Sequence, residues 1–409
     1  YYCKQNKVSA MAEIVVTGMG AISSIGLTVA ENHYSLKHEI SGIRKARHFK
    51  SQYTDSLVFG EIDQSDESLL EELGLEKSQG YTRTTLIALK AFREAIQQAQ
   101  LSAEELASTR TAFISSSTVG GMCYTDDLYH DANLQGTPSE FVKHYEGSDH
   151  ALQIVRLYGM KGITDVINTA CSSSANAIAL GMRLLETGRV DRVIAGGSDC
   201  LAKFTVNGFN SLRILSEEPC KPFDNQREGL SLGEAAAYVV LERKETLPPT
   251  KKTWAKAAGF GICNDAFHPS ATSDDARGPR LAMELALKRA QLTPEDIHYI
   301  NAHGTGTPNN DITESFAFSK LFRHVPPFSS TKSYVGHTLA AAGALEAIYS
   351  ILSLQNGEVY PSLRVKEPIA DFSFQPVTTY TPGIDLKHVL SNSFGFGGNC
   401  TSLIFSACI

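Results

Sequence analysis

DVINTACSSSANAIALGMRLLET, residues 165–187, is the stretch on which the reading of this chain turns. Val166 and Ile167 favour a strand, residues 168–170 break it, and from Cys171 onward small and apolar residues recur at helical spacing through Ala177, Ile178, Gly181, Leu184 and Leu185. The pattern reads as strand, sharp turn, cysteine, helix. A cysteine that opens a helix faces unpaired backbone N–H groups and the positive end of the helix dipole. Both favour thiolate, so a nucleophilic sulfur is expected at Cys171. A lone cysteine at such a corner is more often a small residue filling the junction. Here it has company: His303 in NAHGTGTP and His337 in STKSYVGHTLAAAGALE each follow a short strand and sit among small residues that leave room for a ligand. A thiolate with two imidazoles offers acyl transfer together with proton handling or oxyanion binding.

Outward from this segment, DRVIAGGSD (191–199) reads as another buried strand, so strand, cysteine helix and strand make a βαβ unit in a parallel sheet. The second half repeats the scheme: residues 327–332 lead to His337, a small-residue helix is expected over 338–354, and HVLSNSFGF (388–396) gives a strand ending in Gly-Gly as 193–197 does. Cys171 and His337 then occupy comparable places in two similar halves, and duplication is expected. The Pro-, Thr- and Lys-rich run 244–253 is the candidate join, giving an N-terminal half over 11–250 and a C-terminal half over 251–409. Residues 1–10 are expected to be a tag remnant or a flexible extension. A strand over 13–21 ends in Gly18-x-Gly20, but Ser23 stands where the third glycine of a dinucleotide fingerprint belongs. Residues 84–100 form an amphipathic helix and 111–117 a strand. Gly229-Leu-Ser231-Leu-Gly233 matches a hydrolase nucleophile elbow in letters only, because a polar loop precedes it and a β-rich run follows; a structural turn is the expectation.

Composition narrows the class. In 409 residues, 42% are hydrophobic and 20% charged, which suits a globular enzyme. The eight cysteines (3, 123, 171, 200, 220, 263, 400 and 408) show no CxxC pair or metal-type spacing. They point to a reducing, cytoplasmic setting without disulfides or zinc. No long apolar run or secretory leader is read, so no membrane span is expected. A net charge of −7 without a basic block argues against nucleic acid.

Four separate blocks carry a family resemblance: TACSSS around Cys171, AHGTGTPNND (302–311), SSTKSYVGHTLAAAGALE (329–346) and SNSFGFGGN (391–399). In this order they resemble the signature blocks of the elongating β-ketoacyl-acyl-carrier-protein synthases of the Cys-His-His type, across essentially all of residues 11–409. The resemblance implies an α/β thiolase-like fold, a five-layer αβαβα sandwich of two similar halves, working as a homodimer. It implies decarboxylating Claisen condensation of a Cys-bound acyl group with malonyl-acyl-carrier protein, as in fatty acid elongation. No cofactor or metal is implied; phosphopantetheine arrives on the carrier protein. Residue by residue, Cys171 resembles the acyl-accepting nucleophile, and His303 and His337 the pair that assists decarboxylation. Lys332 resembles the lysine that orders the first histidine, with Glu346 its partner. The backbone N–H groups of Cys171 and Phe396 resemble the oxyanion hole, and Phe396 the acyl gate. Thr305 and Thr307 match positions that hold the pantetheine arm, with Asp311 the acidic residue beyond them. Phe209, Val119 and Gly120 correspond to the acyl pocket. Arg213, Arg44 and Lys45 are candidates for carrier-protein docking, in place of a basic pair missing from the acidic 126–150 segment. Departures are Gly306 where serine is common, and Asn399 one place early, which puts its support of the loop in question. The alternatives are a ketosynthase of a discrete polyketide or aryl-polyene pathway, and a non-catalytic chain-length partner, against which the retained Cys171 counts.

Overall fold

The computed structural model describes residues 12–76, 80–134 and 140–408; the extension expected over 1–10 lies outside them. Twelve strands are described: β1 Ile14–Ser23, β2 Thr111–Ser116, β3 Thr164–Ile167, β4 Arg192–Asp199, β5 Ala235–Arg243, β6 Ala255–Asn264, β7 Tyr299–Asn301, β8 Phe328–Ser329, β9 Glu358–Val359, β10 Thr381–Pro382, β11 His388–Gly395 and β12 Asn399–Ser406. Ten of them hydrogen-bond in the order β3-β2-β4-β5-β1-β6-β12-β11-β7-β8. β3, β2 and β4 run parallel, and β5 and β1 continue antiparallel. From the other edge, β8, β7 and β11 run parallel, and β12 and β6 continue antiparallel. The halves therefore mirror each other about a short antiparallel seam, where Val15 faces Lys256 and Val16 faces Ala255.

The layering follows from which helices are apolar on one side and which all round. The helix Arg83–Gln98 packs on β1 and β5, and Arg277–Ala290 packs on β6 and β12. Between the two halves lie Ser173–Glu186 and Ala342–Asn356, which touch each other. Residues 342–354 are all buried, as a helix sandwiched between layers must be. Outer helix, sheet, central helix pair, sheet and outer helix make five layers. One apolar cluster fills the centre, with Ile178, Leu185, Leu345 and Ile348 at its heart, and separate clusters lie under each outer helix.

The glycines that suggested a nucleotide turn have a packing purpose. A Cβ on Gly18 would stand 2.3 Å from the Ala95 carbonyl oxygen and one on Gly20 2.0 Å from that of Ala91, so only glycine lets the outer helix settle on β1. Gly259 and Gly261 on β6 do the same against Ala286 and Ala282. The same device thus seats the outer helix in each half. No described helix is long and apolar enough to cross a membrane.

Candidate active site

Cys171 follows β3 at a tight turn and precedes the central helix Ser173–Glu186. Ala170 takes φ 53°, and the helix ties down its own entrance: the Thr169 N–H donates to Ser173 Oγ (2.9 Å), and Asn176 Nδ2 donates to Thr169 Oγ1 (2.8 Å). Asn176 Oδ1 in turn accepts from Thr401 Oγ1 on β12 at 2.8 Å, joining the two halves behind the cysteine. The N–H groups of Cys171 and Phe396 are both directed at the Cys171 sulfur. Gly395 makes this possible, since a Cβ there would lie 2.9 Å from the Thr169 oxygen and 3.0 Å from the Cys171 nitrogen.

Burial opposes the thiolate that the helix entrance favours. Burial pushes the Cys171 thiol up to about 11, and the two N–H groups and the Lys332 charge recover only part of that shift. Cys171 is 6% exposed, and in so dry a site the charged sulfur loses more hydration than the helix end returns.

The two histidines are neutral donors by construction of their surroundings. Lys332 Nζ lies 3.2 Å from His303 Nδ1 and donates to the His303 carbonyl oxygen (2.7 Å) and to Glu346 Oε1. An ammonium has no lone pair, so His303 Nδ1 must accept and Nε2 carries the proton. His337 Nδ1 accepts from the Leu339 N–H at 3.2 Å, which again leaves Nε2–H as the donor. Burial and then the Lys332 charge hold both imidazoles well below the usual histidine range, so both are uncharged at neutral pH. Their rings stand 5.5 Å apart at 84°. Burial raises Glu346 to about 7 against the pull of Lys332.

The loop decoy has a role here. Ser231 Oγ accepts from the Cys220 N–H (3.0 Å), and the Ser231 carbonyl accepts from the His337 N–H (2.7 Å), so the serine turn holds His337 rather than acting as a nucleophile.

Thr305 and Thr307 share a hydroxyl hydrogen bond of 2.8 Å and line the same cavity as Cys171, His303 and His337. Asp311 sits beneath them, accepting from the N–H groups of Thr305 (3.0 Å), Gly306 (3.2 Å) and Phe223 (2.8 Å). That cavity, of about 270 Å³, meets a more apolar one of about 350 Å³ lined by Thr118, Met122, Phe204, Leu212 and Leu339. Cys171, Phe209 and Phe396 border both, and the two phenyl rings stack at 5.6 Å and 19° as a partition. Gly120 turns the chain behind this wall, donating to Ser117 Oγ at 2.8 Å, while Thr118 and Met122 reach the cavity. Asn399, despite its early position, still supports the loop through Nδ2 to the Phe396 carbonyl oxygen (2.9 Å).

Of the docking candidates, Arg213 is exposed just beyond Leu212 and has no ion pair among the described residues. Arg44 pairs with Asp63 at 3.4 Å, and Lys45 Nζ donates to the Asp55 carbonyl oxygen at 2.7 Å, so both are committed to their own loop. Residues 135–139 of the acidic segment lie outside the described residues. A larger polar cleft of about 530 Å³, bordered by Arg47, Arg83 and Lys203, includes neither Cys171 nor His303 nor His337.

Two buried carboxylates escaped the sequence reading. Glu314 accepts from the N–H groups of His303 (2.9 Å) and Gly304 (2.8 Å) and from Asn392 Nδ2 (3.1 Å), which sets the His303 backbone. Asp199 accepts from Ser117 Oγ (2.6 Å), Thr118 N (2.9 Å) and Oγ1 (2.6 Å), Val119 N (2.9 Å) and, from the other half, Ala340 N (2.8 Å). It staples the acyl-side wall to the turn that follows His337. Its place at the end of DRVIAGGSD was the one available signal.

Comparison with known proteins places this geometry. Residues 11–246 match the β-ketoacyl synthase N-terminal domain and residues 254–366 its C-terminal domain. The chain is 31% identical over 413 residues to 3-oxoacyl-[acyl-carrier-protein] synthase 2 of Staphylococcus aureus strain COL, covering 97% of this chain and 99% of that one. Among solved structures, the ishigamide ketosynthase/chain length factor superposes with a TM-score of 0.89 at 28% identity, covering 98% and 100%. A ketosynthase in complex with its chain length factor from Xenorhabdus doucetiae gives 0.85 at 31% identity, covering 97% and 98%.

Proposed function

Because this chain belongs to the β-ketoacyl synthase family, we propose that it condenses a Cys171-bound acyl group with malonyl-acyl-carrier protein to give a 3-oxoacyl-acyl-carrier protein two carbons longer. The observation that carries the reading is the pair of neutral imidazoles, each with Nδ1 occupied and Nε2–H left to donate, in the cavity that also holds Cys171. An acyl thioester enters with its chain in the apolar cavity, and the sulfur attacks its carbonyl. Burial favours the thiol, so the proton leaves as attack proceeds; the N–H groups of Cys171 and Phe396 hold the oxyanion that forms. The carrier-protein thiol departs with a proton, and malonyl-carrier protein takes its place along Thr305 and Thr307. Loss of CO₂ places negative charge on the malonyl thioester oxygen, which the two Nε2–H groups meet. The resulting carbanion equivalent attacks the acyl-Cys171 carbonyl and breaks its C–S bond, and the departing thiolate takes up a proton from water to restore the thiol.

Acyl-carrier protein is the partner, and phosphopantetheine enters only on it. The exposed edge of β3, with Ile163 and Leu157 open beside it, suits a second copy of this chain and a homodimer. A polyketide or aryl-polyene ketosynthase is the second reading, favoured by the likeness to ketosynthases solved with a chain length factor. Incubating the full chain with acyl- and malonyl-carrier protein tests the proposal. A two-carbon-extended 3-oxoacyl product supports it; malonyl-carrier protein left unchanged, with no acyl mass on Cys171, would refute it.

A further inference from the structure

Outside the reacting groups, the loop that carries Phe396 has a chemically unusual foundation. β12 begins at Asn399 and β6 ends at Asn264, and in their antiparallel register Cys400 faces Cys263 directly. Directly opposed residues in such a pair have Cα atoms about 4.5–5.5 Å apart, inside the range a disulfide spans. The Cys263 thiol donates to the carbonyl oxygen of Gly278 (3.1 Å), at the start of the helix packed on this strand pair. Cys400 borders the substrate cavity and Cys263 is partly exposed, so a small oxidant reaches both.

The gate rests on this base. Asn264 Nδ2 donates to the Gly397 carbonyl oxygen (2.8 Å), the Asp265 N–H to that of Gly398 (2.8 Å), and the Gly397 N–H to that of Pro269 (2.7 Å). These bonds tie the loop that carries Phe396 to the end of β6, so a covalent link between Cys263 and Cys400 stiffens the strand end from which the loop springs.

We propose that Cys263 and Cys400 form a reversible disulfide that clamps the Phe396 loop shut and slows acyl loading of Cys171. The clamp rests on the functional reading given above. With hydrogen peroxide as oxidant, the Cys263 sulfur attacks one peroxide oxygen and the O–O bond breaks. This gives a sulfenic acid and hydroxide, which takes up the Cys263 proton as water. Cys400 sulfur then attacks the sulfenic sulfur; its proton and the departing hydroxide form the second water. Two thiols are oxidised by two electrons, and one peroxide is reduced to two waters. Cys263 is the more exposed of the two sulfurs, which makes it the one that meets peroxide first.

The test treats the full chain with hydrogen peroxide. Three readouts follow: non-reducing peptide mass mapping, amide hydrogen exchange over residues 394–400, and acyl loading of Cys171. A peptide linking Cys263 to Cys400, slower exchange, and loading slowed about tenfold or more and restored by dithiothreitol support the clamp. Cys263→Ser and Cys263→Ala, either of which suffices if the other folds poorly, should load at the untreated rate before and after peroxide. Absence of the linked peptide, a linked peptide with unchanged loading and exchange, or equal slowing in the Cys263 variants overturns it. A reduced protein that never loads an acyl group refutes the functional reading instead, and the linked peptide with the exchange rates still decides whether the loop is clamped.

Discussion

Lys332 Nζ sits 3.2 Å from His303 Nδ1 and 2.7 Å from the same residue's carbonyl oxygen, so one buried ammonium fixes both the ring and the tautomer of His303. Lys332→Ala frees Nδ1 to take the proton and turns the donor away from the cavity. Decarboxylation should fall about a hundredfold, the usual cost of one oxyanion donor. The substitution also strands Glu346, and breaking a buried pair typically costs about 3–5 kcal/mol. Lys332→Ala with Glu346→Gln should therefore recover much of the thermal stability by calorimetry and none of the CO₂ release. Recovery of both would make Lys332 a purely structural ion-pair partner.

Asp199→Asn keeps the shape and removes one acceptor where five donors converge. At least one buried donor then faces an NH₂, and a stability loss of about 3 kcal/mol is expected from urea unfolding. Acyl loading should weaken as well, because the staple holds Thr118, which lines the apolar cavity. A loss under about 0.5 kcal/mol would mean the staple is dispensable.

For Cys171, the raised thiol pKa sets a sign. An acid whose folded pKa is raised keeps its proton where the unfolded chain has lost it, so this group lowers stability as pH climbs from 9.0 to about 11. Iodoacetamide labelling of the resting protein should climb steadily from pH 7 through 9.5. A plateau below pH 8 would restore the thiolate that the helix position alone suggested.

Legibility tracked the reach of each interaction along the chain. Cys171, His303, Lys332 and His337 are each announced by their own short blocks, and the mirrored strand order follows from the repetition of those blocks. Asp199 and Glu314 were not, because their meaning lies in partners such as Ala340, 141 residues from Asp199, and Asn392, 78 residues from Glu314. Gly18 and Gly20 were legible as unusual but not as helix seats, since the seat is made by Ala91 and Ala95. The burial that opposes a Cys171 thiolate was hidden for the same reason: a helix terminus is visible locally, whereas burial is a sum over the whole fold.

Arg213 offers a test of docking. It stands uncommitted at the end of the helix Lys203–Ser211, and local basic charge steers an acidic partner even on a chain of net charge −7. Arg213→Glu should raise the apparent KM for acyl-carrier protein and leave loading from a small acyl thioester unchanged. Equal loss on both substrates would assign Arg213 to folding or to the pocket.

The arrangement also makes the two half-reactions separable. Acyl transfer needs the Cys171 sulfur, whereas decarboxylation needs the malonyl thioester oxygen to meet two Nε2–H donors that neither Cys171 nor its acyl group supplies. Cys171→Ala should abolish condensation yet still release CO₂ from malonyl-carrier protein. His337→Ala should load an acyl group and decarboxylate about a hundredfold more slowly, roughly 3 kcal/mol of lost transition-state stabilisation. His303→Ala should resemble it. Both imidazoles are held well below the usual range, so they remain neutral as pH falls through 6.5; CO₂ release by Cys171→Ala should stay flat between pH 8 and 6. The assay is radiolabelled CO₂ release beside acyl-enzyme mass spectrometry on the same preparations. If folded Cys171→Ala released no CO₂, decarboxylation would depend on the sulfur or its acyl adduct, and the two histidines would not be a self-sufficient oxyanion site.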